Sequence, residues 1–128
     1  MATILVVEDN AANMKLAQTL LKSAGHEVLG AADAEAGLML ARAEQPALIL
    51  MDIQLPGMDG IAATRHLKAD PVTRDIPVIA LTALAMKGDE ARIRDAGCDA
   101  YIAKPIRYRE FLAVVTDLLL GRAGDARA

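Results

Sequence analysis

A chain of 128 residues with 54% hydrophobic composition is long enough to bury one core and too short for two domains. A formal charge of −3, one cysteine and only Tyr101, Tyr108 and Phe111 as aromatics exclude a disulfide framework. They also leave neither the basic stripe nor the stacking platform of a nucleic-acid binder. No apolar run approaches the ~20 residues of a membrane span, and the stretch from Met1 to Asp9 lacks the basic start and cleavage-like site of an export signal. A cytoplasmic protein is expected.

Ile4 to Val7 is a continuous apolar run, the pattern of a strand covered on both faces, and it ends abruptly in Glu8, Asp9 and Asn10. Helical spacing of Met14, Ala17, Leu20, Leu21 and Ala24 predicts a helix from Ala11 to Ala24, stopped by Gly25. Glu27 to Ala31 reads as a short strand. Asp33 can cap a helix reaching about Ala43, and Pro46 ends the connection. Leu48 to Met51 predicts a third buried strand, closed by Asp52.

After the loop Ile53 to Asp59, with its Pro56 and Gly57, Gly60 opens a third helix through Lys68. Pro77 to Thr82 predicts the fourth strand, with Pro77 at its start, where a missing N–H matters least. Lys87 to Ala96 is helical but poorly apolar, with Ile93 as its large aliphatic residue. Ala100 to Ala103 is a fifth strand, broken by Lys104 and Pro105. Tyr108 to Leu120 forms a last amphipathic helix on Phe111, Leu112, Val115, Leu118 and Leu119. Residues 121–128 read as a flexible tail, so the domain is expected over 1–120 with no output domain.

Near-continuous apolar strands separated by helices predict an α/β fold: a flavodoxin-like, doubly wound, five-stranded parallel sheet in order 2-1-3-4-5 with helices on both faces. Such sheets bind ligands at the carboxyl ends of the strands where the order reverses, here between strands one and three. Glu8, Asp9 and Asp52 end those two strands, and Thr82 and Lys104 end strands four and five on the same rim. Three carboxylates held close repel unless a cation joins them. One Mg²⁺, which takes oxygen ligands, together with the Lys104 ammonium balances them. An aspartate with an ordinary pKa of ~3.9 is ionised at neutral pH and needs no general base to attack phosphorus and form an acyl phosphate.

Taken singly, each residue has a plainer role. Asp9 or Asn10 can cap the first helix, Asp52 can be a turn residue, Thr82 a structural hydroxyl and Lys104 a solvated cation. Those roles do not explain all five on one rim. Cys98, beside Asp99, reads as an inert small residue rather than a low-pKa thiol. His26 and His66 read as surface residues, and Arg107 with Arg109 as a solvated helix start.

Leu5 to Asn10, Met51 to Gly60, Ala80 to Ala83 and the Lys104-Pro105 pair form one spaced combination, and through it the chain resembles the receiver domains of two-component response regulators from end to end. The resemblance implies Asp52 as phosphoacceptor, Asp9 as a direct Mg²⁺ ligand, Glu8 acting largely through water, and Gln54 lending its backbone carbonyl to the metal. It implies that Thr82 and Lys104 contact the phosphoryl oxygens, with the Ala83 N–H nearby, and that the bond before Pro105 is cis. It further implies a switch in which Thr82 moves toward the phosphoryl group and Tyr101 turns inward, remodelling the surface of helix four, strand five and the last helix. For Tyr101 a plain core aromatic is the alternative.

The poorly apolar stretch 87–96 suits a mobile element. Gln54 and Leu84 flank the phosphate and leave its lifetime open. Ala85 to Glu90, followed by Ile93 to Cys98, is similar to single-domain members that act in cell-cycle signalling. A histidine kinase or phosphotransfer protein is the expected donor, a kinase, phosphatase or adaptor the expected target, and monomer and weak dimer both stay open. A relay or phosphate sink fits the same residues. A phosphatase of the haloacid dehalogenase type does not fit well, because the acid expected two residues after the nucleophile is Gln54. The expectation is therefore a non-enzymatic phosphoacceptor that promotes its own phosphorylation and dephosphorylation.

Overall fold

The computed structural model describes residues 2–83 and 87–121; the expectations placed on Leu84 to Met86 and on the tail from 122 onward lie outside them. Five strands, β1 (Thr3–Val7), β2 (Glu27–Ala31), β3 (Leu48–Asp52), β4 (Val78–Thr82) and β5 (Ala100–Ala103), alternate with five helices. The helices are α1 (Ala11–Ser23), α2 (Ala34–Glu44), α3 (Gly60–Ala69), α4 (Lys87–Asp95) and α5 (Tyr108–Leu119). All strand pairs are parallel, in the order β2-β1-β3-β4-β5. The expected topology is observed. Element ends differ from the sequence reading by a residue or so: Asp52 is the last residue of β3 rather than its boundary, and Pro77 precedes β4, where its carbonyl accepts from the Ile49 N–H at 3.0 Å.

The continuous apolar runs are explained by two-sided burial. Successive residues of a strand point to opposite faces. Leu5, Val7, Ile49, Met51, Val78 and Ala80 pack with Ala34, Ala41, Ala63, Leu67 and Ile93 of α2, α3 and α4. Ile4, Val6, Leu48, Leu50, Ile79 and Leu81 pack with Ala17, Leu21, Phe111, Val115 and Leu118 of α1 and α5. Each fully buried aliphatic side chain contributes about 1.5–3 kcal/mol. The two cores clamp β1, β3 and β4 as the rigid centre of the sheet.

Short side chains fix where the helices begin. Asn10 Oδ1 accepts from the Asn13 N–H at 2.9 Å, Asp33 Oδ1 from the Ala36 N–H at 2.8 Å and Asp59 Oδ1 from the Ala62 N–H at 2.8 Å. Each cap is worth about 1 kcal/mol. Gly25, at φ +91°, takes the left-handed conformation that ends α1, as its sequence position predicts. The Lys104–Pro105 bond is cis, as the resemblance implied. Cys98 is buried, and burial raises its pKa, which agrees with an inert thiol.

His26 corrects the sequence reading, whereas His66 is exposed as expected. His26 is half-buried, because the turn after α1 folds it under the start of β1, where its Nδ1 accepts from the Ala2 N–H at 3.2 Å. Only a neutral ring accepts there, and burial lowers its pKa below the ordinary 6.5. A depressed histidine binds fewer protons folded than unfolded, so its stabilisation is present above the unfolded value and lost as pH falls through the folded one. The melting temperature of wild type should therefore exceed that of His26→Ala by a constant margin above about pH 6.5 and by a shrinking one below it. A margin that widens on acidification would contradict this.

Candidate functional site

The rim is assembled by strand register. Val7 pairs with Met51, which sets Glu8 beside Asp52 at the carboxyl ends of β1 and β3, where the strand order reverses. Asp52 pairs with Leu81, and Thr82 with Ala103, which brings Thr82 and Lys104 to the same edge. The Lys104 N–H donates to the Thr82 carbonyl at 2.7 Å, so the lysine backbone is tied to the end of β4. Ala83 lies exposed just past that end.

Candidate ligand atoms of Glu8, Asp9 and Asp52 all lie within 4.8 Å of one another. Glu8 and Asp52 are 2% exposed, whereas Asp9 faces solvent. Asn10 resolves the capping alternative. Its side chain caps α1, which leaves the Asp9 carboxylate with the cluster, and its N–H donates to Glu8 Oε2 at 3.2 Å. The neighbouring carboxylate is held in a similar way. Asp52 Oδ1 accepts from the Gln54 N–H at 3.0 Å, and Oδ2 accepts from Lys104 Nζ at 3.1 Å.

Lys104 Nζ also lies 2.9 Å from Glu8 Oε1, but that contact lacks hydrogen-bond orientation. Glu8 Oε1 is thus a buried oxygen with an ion-pair neighbour and no hydrogen bond among the described residues. Burial opposes the Lys104 charge, yet the Glu8 and Asp52 carboxylates outweigh it and raise the lysine pKa above its ordinary value. Glu8 responds the other way. Burial, then the adjacent Asp52, raises its pKa from 4.5 to about 7, against the opposing pull of Lys104.

One ammonium does not balance three carboxylates. The donor set is all oxygen, with two carboxylates buried and one open to water, and it includes an oxygen that has an ion-pair neighbour but no hydrogen bond among the described residues. That is the chemistry a hard divalent cation such as Mg²⁺ selects, since it keeps several waters and takes one or two carboxylates. The residues fit the ion.

Residues 4–116 match the family described as the response regulator receiver domain. The chain belongs to that family. It is 48% identical to the polar-differentiation response regulator DivK of Brucella anthropi, over 97% of this chain and 98% of that protein. Among solved structures it is similar to the receiver domain of the sensor histidine kinase PA1611 from Pseudomonas aeruginosa, with 36% identity, a TM-score of 0.83, and coverage of 96% of this chain and 98% of that one. That structure carries a magnesium ion coordinated in its active-site cleft. A response regulator from Chloroflexus aurantiacus superimposes with a TM-score of 0.89 at 29% identity, covering 93% of this chain and 98% of that one. Among the described residues no helix is long and apolar enough to cross a membrane.

The sequence reading placed every rim residue correctly by strand end but missed how the carboxylates are held. The Gln54 and Asn10 N–H groups grip Asp52 and Glu8 respectively. The signal for both is weak, because a backbone donor leaves no trace in residue type.

Without metal, the raised Glu8 pKa makes the folded protein hold a proton that the unfolded chain releases. That stabilisation is full below pH 4.5 and lost as pH rises through about 7. Glu8→Gln, which mimics the protonated acid, should melt above wild type at pH 8 in chelator, and the gap should close toward acidic pH. Equal melting temperatures across that range would contradict the assignment.

Proposed function

We propose that the chain accepts a phosphoryl group on Asp52 and signals by phosphorylation-dependent protein binding. The observation that carries this reading is the Asp52 carboxylate, 2% exposed and 3.1 Å from Lys104 Nζ, within an acidic cluster at the reversal point of a receiver-family sheet. A carboxylate so placed is a nucleophile held still, with a cation beside it and one oxygen fixed by a backbone N–H.

In the transfer step, an Asp52 oxygen forms a bond to phosphorus while the bond from phosphorus to the donor breaks. The donor keeps that electron pair, as a neutral imidazole from a phosphohistidine whose other ring nitrogen carries a proton, or as acetate from acetyl phosphate. Lys104 faces the charge gathering on the phosphoryl oxygens, with the Thr82 hydroxyl and the Ala83 N–H as the further donors on this rim. Asp9, Asp52, the Gln54 carbonyl and, largely through water, Glu8 would hold Mg²⁺, which when bound would neutralise phosphoryl charge. A histidine kinase or phosphotransfer protein in the cytoplasm is the donor. The protein is a phosphoacceptor that assists gain and loss of its own phosphoryl group rather than an enzyme with a separate substrate.

Output runs through the α4, β5 and α5 face. Tyr101 in β5 is half-buried and packs against the core on the α4 side, next in register to Ala80 and one strand from Thr82. Movement of Thr82 toward the phosphoryl group vacates space that the Tyr101 ring takes, and α4, which carries Arg92, Arg94, Asp95 and Glu90 on a short helix, readjusts. The target is a kinase, phosphatase or adaptor protein.

Intact mass after treatment with acetyl phosphate and Mg²⁺ should show one added phosphoryl group in wild type and none in Asp52→Asn; labelling that survives the substitution would sink the acceptor assignment. Lys104→Ala should keep Mg²⁺ binding yet lose the coupling between beryllofluoride and partner affinity. Unchanged coupling would remove Lys104 from the mechanism.

A further inference from the structure

The start of α3 lies against the backbone of the acceptor. Gly60 is buried and opens the helix directly after its cap, Asp59. A β-carbon at Gly60 would overlap the carbonyl oxygen of Asp52 and sit 2.8 Å from both the Asp52 carbonyl carbon and the Ile53 Cα. Side-chain carbons do not approach backbone that closely, and a peptide cannot swing aside as the end of a side chain can. That peptide and the one after it are tied on their other sides. The Gly60 N–H donates to the Ile53 carbonyl at 3.0 Å, and the Ile53 N–H donates to Leu81 O at 2.9 Å. Elsewhere close glycines meet side chains instead: a β-carbon on Gly37 would face Val7 Cγ2, and one on Gly97 would face Lys68 Cγ, each at 2.7 Å.

We propose that the Asp59–Gly60 turn is a positioning element for the phosphoacceptor, seating the first turn of α3 on the Asp52 peptide so that the carboxylate stays in register with Lys104 and the acidic cluster. This inference rests on the reading of Asp52 as the acceptor. Gly60 acts through Asp52 and does not itself reach the rim. The absence of a side chain allows the close approach, and the Asp59 cap holds the helix end in that place. Adding a β-carbon forces the peptide or the helix apart by about 1 Å, a misplacement that costs reactions up to ~10²-fold. The Lys104 contact at 3.1 Å and the Gln54 contact at 3.0 Å would both open.

Two equivalent caps supply the decisive comparison. Asp59 and Asp33 each accept one N–H at 2.8 Å, at the starts of α3 and α2, so Asp59→Ala and Asp33→Ala should lose similar stability. Titration of the full chain with beryllofluoride and Mg²⁺, followed by calorimetry, should show weaker binding in Asp59→Ala alone, by about threefold to fivefold, the factor to which one cap converts. Asp59→Asn, which caps equally well, should restore it. Gly60→Ala should lose about tenfold or more, whereas Gly97→Ala, strained by its φ of +106° but facing the Lys68 side chain instead of the Asp52 backbone, should bind as wild type. Equal beryllofluoride affinity in the two cap variants would overturn the proposal, and so would a folded Gly60→Ala that binds normally. If Gly60→Ala does not fold, the cap pair decides. Failure of the acceptor reading is separately visible, as labelling that persists in Asp52→Asn.

Discussion

Mutual repulsion among Glu8, Asp9 and Asp52 is the constraint around which the rest of the structure is arranged. Their ligand atoms lie within 4.8 Å of one another at an edge where Glu8 and Asp52 have little water to screen them. Coulomb repulsion between two unit charges 4 Å apart is roughly 4 kcal/mol at an effective dielectric of 20, so three such groups are costly to hold together. The fold meets that cost with hydrophobic burial gathered elsewhere. β1 and β3 are apolar along their length and covered on both faces, and only their last residues carry charge. A sheet less completely buried would let the two strand ends splay.

Lys104 is the partial remedy, and its partial character is informative. An ammonium that contacts two buried carboxylates stabilises both, yet Glu8 still holds its proton to about pH 7 and keeps one oxygen without a hydrogen bond. With all three carboxylates ionised the site is therefore two positive charges short of neutral, and one short while Glu8 keeps its proton. Such a cluster favours a divalent ion wherever one can enter, because the ion would relieve a repulsion that the folded chain has already assembled. It also explains why the lysine stands at the end of an outer strand. From β5 it reaches across the ends of β4 and β3, and its reach depends on the Lys104 N–H bond to Thr82.

How much of this was legible in the residues follows from which physical quantities the residue type encodes. Burial on both faces is encoded by a run such as Leu48-Ile-Leu-Met51 and parallel pairing by the helices between runs; the order 2-1-3-4-5 is then the one of two common doubly wound orders that five strands favour, and it places the five rim residues at strand ends. The packing of His26 under β1 is not encoded, because an imidazole with no motif looks the same on a surface or in a turn. The choice between Asp9 and Asn10 as cap was open for the same reason. Both side chains accept from a helix N–H, and only the turn geometry assigns the cap to Asn10 and the free carboxylate to the cluster. Gly60 was read as a helix start, which it is. Its contact with Asp52 depends on two segments meeting in space, a relation one glycine cannot display.

The two sides of the rim also differ in what holds them. Asp52 sits between β1 and β4, with α3 against its peptide and a backbone donor and the Lys104 ammonium on its carboxylate. On the far side α4 has Ile93 as the large buried aliphatic among its described side chains, while Glu90 and Arg94 pair on its exposed face. Its trailing end is better tied: the Asp99 carboxylate accepts from the Val78 N–H at 2.9 Å and from Lys68 Nζ at 3.2 Å. A helix fastened beyond its C-terminal end and lightly buried along its length resists sliding more than it resists tilting. The division is one of burial: Asp52 is held closely on several sides, and α4 is held lightly along its length. In this chain the division follows from where large aliphatics were spent, densely on β1, β3 and β4 and sparsely on α4.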